Sequence, residues 1–312
     1  MIVVCGEALI DRVGDGESPG GGPFTTARAL ARLGVPVQFL GHLSRDAFGE
    51  QLRDLLAADG ADLAMTSFGP EPTTLAIAEV NPDGHAAYRF VSDGTSAPNL
   101  TSQMVPASFG PDINALHVGT LGLVFEPIAT TIAALVDREH TKRLIMVDPN
   151  IRPSVLTPPP LPRESRVGAG HDYRARLDRI IAQSTLVKAS DADVAWLLPK
   201  IDRSAAARAL LARGPRLVVV TLGAEGAIGM TASAEVRVPA PSVQVVDTIG
   251  AGDAFGAALL AWLHDHDKLS RDLQLDREEL RAALEFACLV ASITCTRPGA
   301  DPPWRAEVGA RA

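Results

Sequence analysis

The chain has 312 residues, with 29 Lys and Arg against 37 Asp and Glu, so its formal net charge is −8; with 46% hydrophobic and 21% charged residues it has the balance of a folded chain of one large or two small domains, not a disordered one. The acidic balance argues against nucleic acid, whose phosphates demand clustered Lys and Arg. The longest apolar run, Ala254 to Leu263, is about half the ~20 residues a membrane span needs, so no membrane partner is expected. Met1 to Asp11 has no basic segment of an export leader, and the three thiols (Cys5, Cys288, Cys295) are odd in number and sparse, which fits a reducing cytoplasm.

Short β-branched runs alternate with helical patterns, the signature of βαβ units around a parallel sheet. Ile2–Cys5 predicts a buried first strand. Pro23–Leu33 predicts a helix, with Pro at its first turn and Gly34 at its end. Val37–Leu40 is a strand, and Arg45–Ala58 a helix closing at Gly60. Leu75–Val80 and Ala86–Val91 are strands joined by the turn Asn81-Pro82-Asp83-Gly84, a hairpin that interrupts the βαβ rhythm. Ala115–Val118, Leu144–Val147, Leu186–Val187 and Leu217–Thr221 are strands; Pro127–Val136, Tyr173–Ala182 and Ser204–Arg213 are helices. Thr157–His171, rich in Pro and Gly, is a surface loop. Val243–Val246 predicts a strand leading into a helix at Gly250–Leu263, and Glu278–Thr294 is a long last helix.

The sharpest chemical feature is Asp247-Thr248-Ile249-Gly250-Ala251-Gly252-Asp253. Glycines at a helix start leave backbone N–H groups free to face an anion, and the helix dipole favours negative charge there. A carboxylate at Asp253 would repel that anion unless its task is to take a proton, a combination that suits phosphoryl transfer. An ordinary helix start with an acidic first turn fits the same heptapeptide. A dinucleotide fingerprint fits it poorly, because the sixth position is Phe255 and Gly256 comes one late; a Walker loop would need a Gly-Lys pair that the chain lacks. Two further segments are Gly20-Gly21-Gly22-Pro23, where glycines before a helix allow close approach to a ligand, and Thr221-Leu222-Gly223-Ala224-Glu225-Gly226, a turn at a strand's carboxyl end. A flexible loop and a plain β-turn explain these two equally when each stands alone. His264-Asp265-His266-Asp267 places neighbours on different sides of a helix end and is a poor metal grip. Cys288 and Cys295 share one helix face and fit small buried hydrophobes.

Together these segments resemble the ribokinase-type (PfkB) carbohydrate kinases, and within them the fructokinase and 2-keto-3-deoxygluconate kinase branch. The resemblance runs from Gly6-Glu7-Ala8-Leu9-Ile10-Asp11 to Thr296-Arg297-Pro298-Gly299-Ala300 and includes Gly41 to Gly49. It implies an α/β fold: a three-layer αβα, Rossmann-like ribokinase domain over residues 1–312, mainly parallel, with a small β-sheet lid from the early strands and about residues 73–92. It implies Asp253 as catalytic base, Gly250, Ala251 and Gly252 as an anion hole, and Arg152 as a cation for the transferring charge. Asp11, Gly21, Gly22, Thr25, Tyr88, Phe90 and Asn150 would meet the sugar. Lys188, Ser190, Asp193, Thr221, Gly223 and Gly226 would meet the nucleotide, with Asp193 toward Mg²⁺ and Asp247 toward a monovalent cation such as K⁺.

Two positions depart from the family pattern: Thr25 replaces its Asn, which removes an amide from the sugar site, and Ser190-x-x-Asp193 replaces its Asn-x-x-Glu. With Thr25, fructose itself is expected to be a weak substrate. The implied function is transfer of the γ-phosphoryl of ATP to a hydroxyl of a sugar or sugar acid, with ATP and that small molecule as partners and a homodimer left open. The alternatives are a nucleoside kinase of the same fold and a degenerate sugar-binding protein.

Overall fold

Apolar runs without alternation have no polar face to offer water, so they are buried on both sides and form the middle of the structure. The computed structural model describes residues 1–310 apart from Asp15, 81–85 and 157–168, and leaves the side chains at 78–80, 86–88 and 169–171 aside. The strands in chain order are β1 (Ile2–Cys5), β2 (Leu9–Val13), β3 (Gly16–Gly20), β4 (Val37–Leu40), β5 (His42–Ser44), β6 (Ser67–Gly69) and β7 (Leu75–Val80). They continue with β8 (Ala86–Val91), β9 (Ala115–Gly119), β10 (Leu144–Asp148), β11 (Leu186–Ser190), β12 (Leu217–Thr221), β13 (Ala227–Met230) and β14 (Glu235–Val238). The helices are α1 (Gly22–Arg32), α2 (Ala47–Asp59), α3 (Ile128–Glu139), α4 (Pro153–Leu156) and α5 (Ala169–Gln183). After them come α6 (Asp191–Leu197), α7 (Arg203–Leu211), α8 (Ala251–Asp265), α9 (Arg277–Thr294) and α10 (Arg305–Gly309).

One sheet runs in the order β14-β13-β12-β11-β10-β9-β1-β4. From β12 across to β4 its strands are parallel, while β13 and β14 are antiparallel. Alternation along each strand sends Ile2, Val4, Leu144 and Met146 into a core shared with α1, α2, α8 and α9. Val3, Cys5, Ile145 and Val147 face the other way, into a core shared with α3, α5, α6 and α7. The result is the expected three-layer, mainly parallel arrangement, and the carboxyl ends of β1, β9, β10, β11 and β12 open on one rim. Above that rim stands a second sheet in the order β3-β2-β7-β8.

The β7–β8 hairpin pairs antiparallel as expected, from Leu75 opposite Val91 to Val80 opposite Ala86; its turn at 81–84 lies outside the described residues. Several elements differ from expectation. Val243–Val246 is not a strand: the Val246 amide donates to the Cys295 carbonyl beyond α9 at 2.8 Å, and Val245 and Val246 are 58% and 59% exposed. With no neighbouring strand to pair, its β-branched residues have no ladder to join. The residue pattern places no strand at β2 or β3, where only the resemblance implies early strands of a lid, because Gly, Pro and charge disguise them; Pro19 is tolerated because β3 is an edge strand. Asp191–Leu197 forms α6, which starts from a capping box of Ser190 and Asp193. The loop expected at Thr157–His171 falls mostly outside the described residues, and from Ala169 onward the chain is already helix α5. Cys288 is buried as expected, whereas Cys295 caps the end of α9 and is partly exposed.

Candidate active site

A helix start leaves amide groups that something must satisfy. In α2, α6, α7 and α9 a side chain does so: Asp46, Ser190, Asp202 and Asp276 each accept an amide from the first turn. In α8 nothing does. Its N-cap is Gly250, at φ 75° in the left-handed region, with no side-chain cap. The Ala254 amide bonds the Gly250 carbonyl at 2.9 Å, and among the described residues the amides of Gly250 and Gly252 have no backbone acceptor. Glycine is also required by space, since a Cβ at Gly250 would lie 2.7 Å from the Ala300 Cβ. Helix α1 starts the same way, from Gly21 at φ 107° without a side-chain cap. The two starts face a single cavity of about 350 Å³ on the rim.

Asp253, in the first turn of α8, lines this cavity beside Gly22, where a Cβ would come within 3.1 Å of Asp253 Oδ1. Burial first, then the like charge of Asp148, pushes the Asp253 carboxyl up to about 7, against the opposing pull of Lys188 and Arg152. Asp11 enters from β2. Gly20 leaves it room, for a Cβ there would lie 1.9 Å from Asp11 Oδ2, and burial raises the Asp11 carboxyl to about 6 while Arg152 draws it back. Arg152 lines the same cavity and carries no ion pair among the described residues, which leaves its charge free for a ligand. Asn150, after β10, is held at φ 40°, a conformation uncommon outside glycine.

Lys188 on β11 donates to Asp148 Oδ2 on β10 at 2.7 Å, with both side chains buried. Burial disfavours the lysine charge, but Asp148 and Asp253 outweigh it and hold the ammonium above its ordinary range. Its Nζ reaches the start of α8, where a Cβ at Gly252 would meet it at 3.0 Å. Asp193, which the resemblance implies toward Mg²⁺, lines the cavity and also has bonds within the fold. Its Oδ1 accepts from the Ile151 amide at 2.6 Å, and its Oδ2 from the Ser190 amide and hydroxyl at 2.8 and 2.6 Å. Oδ1 therefore holds the Ile151–Arg152 segment, and Oδ2 closes the capping box of α6. Among the described residues, no group of three or more His, Cys, Asp or Glu is placed to hold a metal.

Of the other expected residues, Gly21, Thr25, Phe90, Ser190 and Thr221 line the cavity. Phe90 packs edge-on to Phe125 at 6.2 Å, while the Tyr88 side chain lies outside the described residues. Ala251, Gly223, Gly226 and Asp247 do not line it. Gly226 has a reason in the fold: at φ 94°, a Cβ would fall 2.0 Å from the Val238 carbonyl. Asp247 accepts from the Ile249 amide at 3.0 Å and the Gly299 amide at 2.9 Å, tying the α8 entry to the 297–299 turn. The cavity also takes in residues for which no role was expected: Glu7, Leu9, Thr120, Leu121, Thr248, Ile249 and Ala300. Thr248 and Ile249 lie inside the glycine motif. Thr120 carries no local signal, since only the pairing of β9 with β1 and β10 brings it there.

The pattern of the family described as "pfkB family carbohydrate kinase" matches residues 2–307. The chain is 39% identical over 292 residues to a fructokinase of Rhizobium leguminosarum bv. trifolii, across 90% of this chain and 86% of that one. Two solved structures superpose on 99% of this chain and 97% of their own. One is the fructokinase of Xylella fastidiosa with bound ATP, at 26% identity and a TM-score of 0.85. The other is the fructokinase of Vibrio cholerae O395 bound to fructose, ADP and calcium ion, at 25% identity and a TM-score of 0.83.

Proposed function

The chain belongs to the pfkB family of carbohydrate kinases and is an ATP-dependent sugar kinase of the ribokinase fold; from that premise we propose that its acceptor is fructose and that Asp253 is the general base. The observation that carries the base is the pairing of a buried, raised carboxylate with an uncapped helix start in one cavity. A base works best with a pKa near the operating pH, and its burial in this site gives Asp253 that value. It takes the proton of the sugar hydroxyl as that oxygen attacks. The amides of Gly250 and Gly252 face the transferring phosphoryl, where fixed donors cost no reorganisation. Arg152 offsets the charge that spreads over the phosphoryl oxygens.

The charge of the cavity favours a neutral sugar over a sugar acid. Glu7, Asp11, Asp193 and Asp253 line it, against Arg152 and a Lys188 already paired with Asp148. A ligand carboxylate would compete with the phosphates for Arg152. Asp11 and Asn150 offer the sugar its polar partners, and Phe90 an apolar wall. The β3-β2-β7-β8 sheet that carries Asp11 and Phe90 serves as a lid whose closure keeps water from competing as acceptor.

Mg²⁺ supplies charge neutralisation to transferring phosphates, and such ions are held largely by those phosphates and by water. We assign it to the nucleotide, with Asp193 as a positioning group and not a ligand. Asp247, between α8 and the 297–299 turn, is where a monovalent cation would support the anion-binding turn. The free thiols Cys5, Cys288 and Cys295 support a cytoplasmic location. Coupled measurement of ADP release across fructose, other hexoses, sugar acids and nucleosides tests the reading. Fructose should lead the panel, which reverses the weak activity expected from Thr25 alone because the relatives are fructokinases across most of the chain, and a sugar acid or nucleoside in first place would overturn the acceptor assigned here.

A further inference from the structure

Glu7 follows β1, is 3% exposed, and has no part in the mechanism above. Its carboxylate is committed to a single turn. One oxygen accepts from the Thr120 hydroxyl, and the other from the Gly122 amide at 2.9 Å. Thr120 stands at φ 54°, where a β-branched side chain is strained. Such a conformation persists only where its surroundings over-determine it, and Glu7 supplies two of the bonds that do so. What the turn presents to the site is the Thr120 methyl. A Cβ at Gly22 would lie 2.5 Å from that methyl and 3.1 Å from Asp253 Oδ1, so the methyl and the carboxylate converge on the same side of Gly22. The Glu7 backbone supports the neighbouring residue as well, since a Cβ at Gly21 would meet the Glu7 carbonyl at 2.9 Å.

We infer that Glu7 is a positioning residue for phosphoryl transfer: it clamps the Thr120–Gly122 turn and, through the Thr120 methyl, fixes Gly22 and the carboxylate of Asp253. The inference rests on the reading of Asp253 as the base. The clamp works by hydrogen bonding and does not need a charge. A neutral carboxyl can accept from the Gly122 amide with its carbonyl oxygen while its O–H donates to the Thr120 hydroxyl. Burial pushes the Glu7 carboxyl up to about 7, so both forms serve near neutral pH. Glutamine reproduces the neutral arrangement, with its oxygen toward Gly122 and its NH₂ toward Thr120. Alanine cannot.

The test compares Glu7→Gln, Glu7→Ala, Thr120→Ser and, as control, Asp253→Ala, with kcat, sugar KM, ATP Kd and Tm measured for each. Glu7→Gln should keep a kcat close to the parent's. Glu7→Ala should lower kcat by about 10²-fold, the loss that a misplacement of about 1 Å can cause, with ATP Kd unchanged. Thr120→Ser keeps the bond to Glu7 and loses only the methyl, so it should fold and still lower kcat with ATP Kd unchanged. A Glu7→Gln variant as impaired as Glu7→Ala would overturn the clamp in favour of a role for the charge. Parental kcat in Thr120→Ser, beside an inactive Asp253→Ala, would sink the clamp alone. Parental kcat in Asp253→Ala would instead remove the general-base reading on which it rests.

Discussion

Lys188 Nζ donates to Asp148 Oδ2 at 2.7 Å beneath the first turn of α8, and the two members of this pair pull the Asp253 carboxyl beside them in opposite directions. Asp148 raises the Asp253 carboxyl and Lys188 lowers it. If Asp253 acts unprotonated, kcat/KM for the sugar rises with pH through the free enzyme's carboxyl near 7. Asp148→Asn removes a like charge and frees the ammonium, and both effects lower that pKa. The acid limb of the profile should therefore move to lower pH. Lys188→Met removes the cation, so the limb should move to higher pH. The second variant also leaves a buried carboxylate unpaired, which costs about 3–5 kcal/mol and should lower Tm. Two limbs displaced in the same direction would refute this electrostatic account.

Asp253→Ala should lose about 10²–10⁴ in kcat, the usual worth of a general base, while ATP Kd stays near the parent's. Turnover at more than half the parental rate would exclude Asp253 as the proton acceptor.

The same burial makes a stability prediction. Asp253 titrates from an ordinary 3.8 unfolded to about 7 folded, so the folded state binds the extra proton. Stability is fully present below the unfolded value and is lost as pH rises through the folded one. Asp253→Asn removes that loss. Its Tm should exceed the parent's at pH 8, and the gap should narrow toward pH 4. A gap independent of pH would mean the carboxylate is not destabilised by its site.

The glycine motif was legible because both of its requirements are local: a left-handed turn at Gly250 and an acid in the first turn of the helix that follows. The parallel sheet was legible from apolar runs that need cover on both faces. Glu7 and Thr120 could not be read as partners, because neither has a spacing signal and only strand order brings them together. Val243–Val246 misled for the converse reason: its β-branched residues meet no strand and bond a helix end instead. At Asp193 the sequence left two tasks open, since a spacing of three from Ser190 describes a capping box as well as a ligand pair, and the capping box is formed.

Gly252→Val should impair phosphoryl transfer while leaving the fold intact. Its Cβ would meet a side-chain end, the Lys188 ammonium at 3.0 Å, and no backbone atom, so strain falls on the Lys188–Asp148 pair and not on the turn. The added methyls would stand beside the amides that face the phosphoryl and would displace Lys188. Sugar KM should change little and kcat should fall. Parental kinetics, or a protein that does not fold, would refute the assignment of this turn to the phosphoryl.

Thr25 decides how the sugar end is read. It lies in the first turn of α1, is 1% exposed, and lines the cavity. Its methyl is turned toward the anion turn, where a Cβ at Gly250 would meet Thr25 Cγ2 at 3.2 Å. One branch of the side chain therefore packs against the Gly250 turn, and the hydroxyl is the only polar atom it can offer to a sugar. An asparagine would extend further, with a donor pair and an acceptor at its tip. A hydrogen bond gained to a sugar hydroxyl contributes about 0.5–1.5 kcal/mol net, and ~1.4 kcal/mol corresponds to about tenfold. Thr25→Asn should therefore raise kcat/KM for fructose by up to about tenfold relative to the next best sugar, and the lost methyl contact with Gly250 should appear as a small fall in Tm. The measurement is the ratio of the two kcat/KM values in parent and variant. An unchanged ratio would mean that Thr25 serves only the packing of α1 against the α8 turn, and that sugar preference is set by Asp11, Asn150 and Phe90.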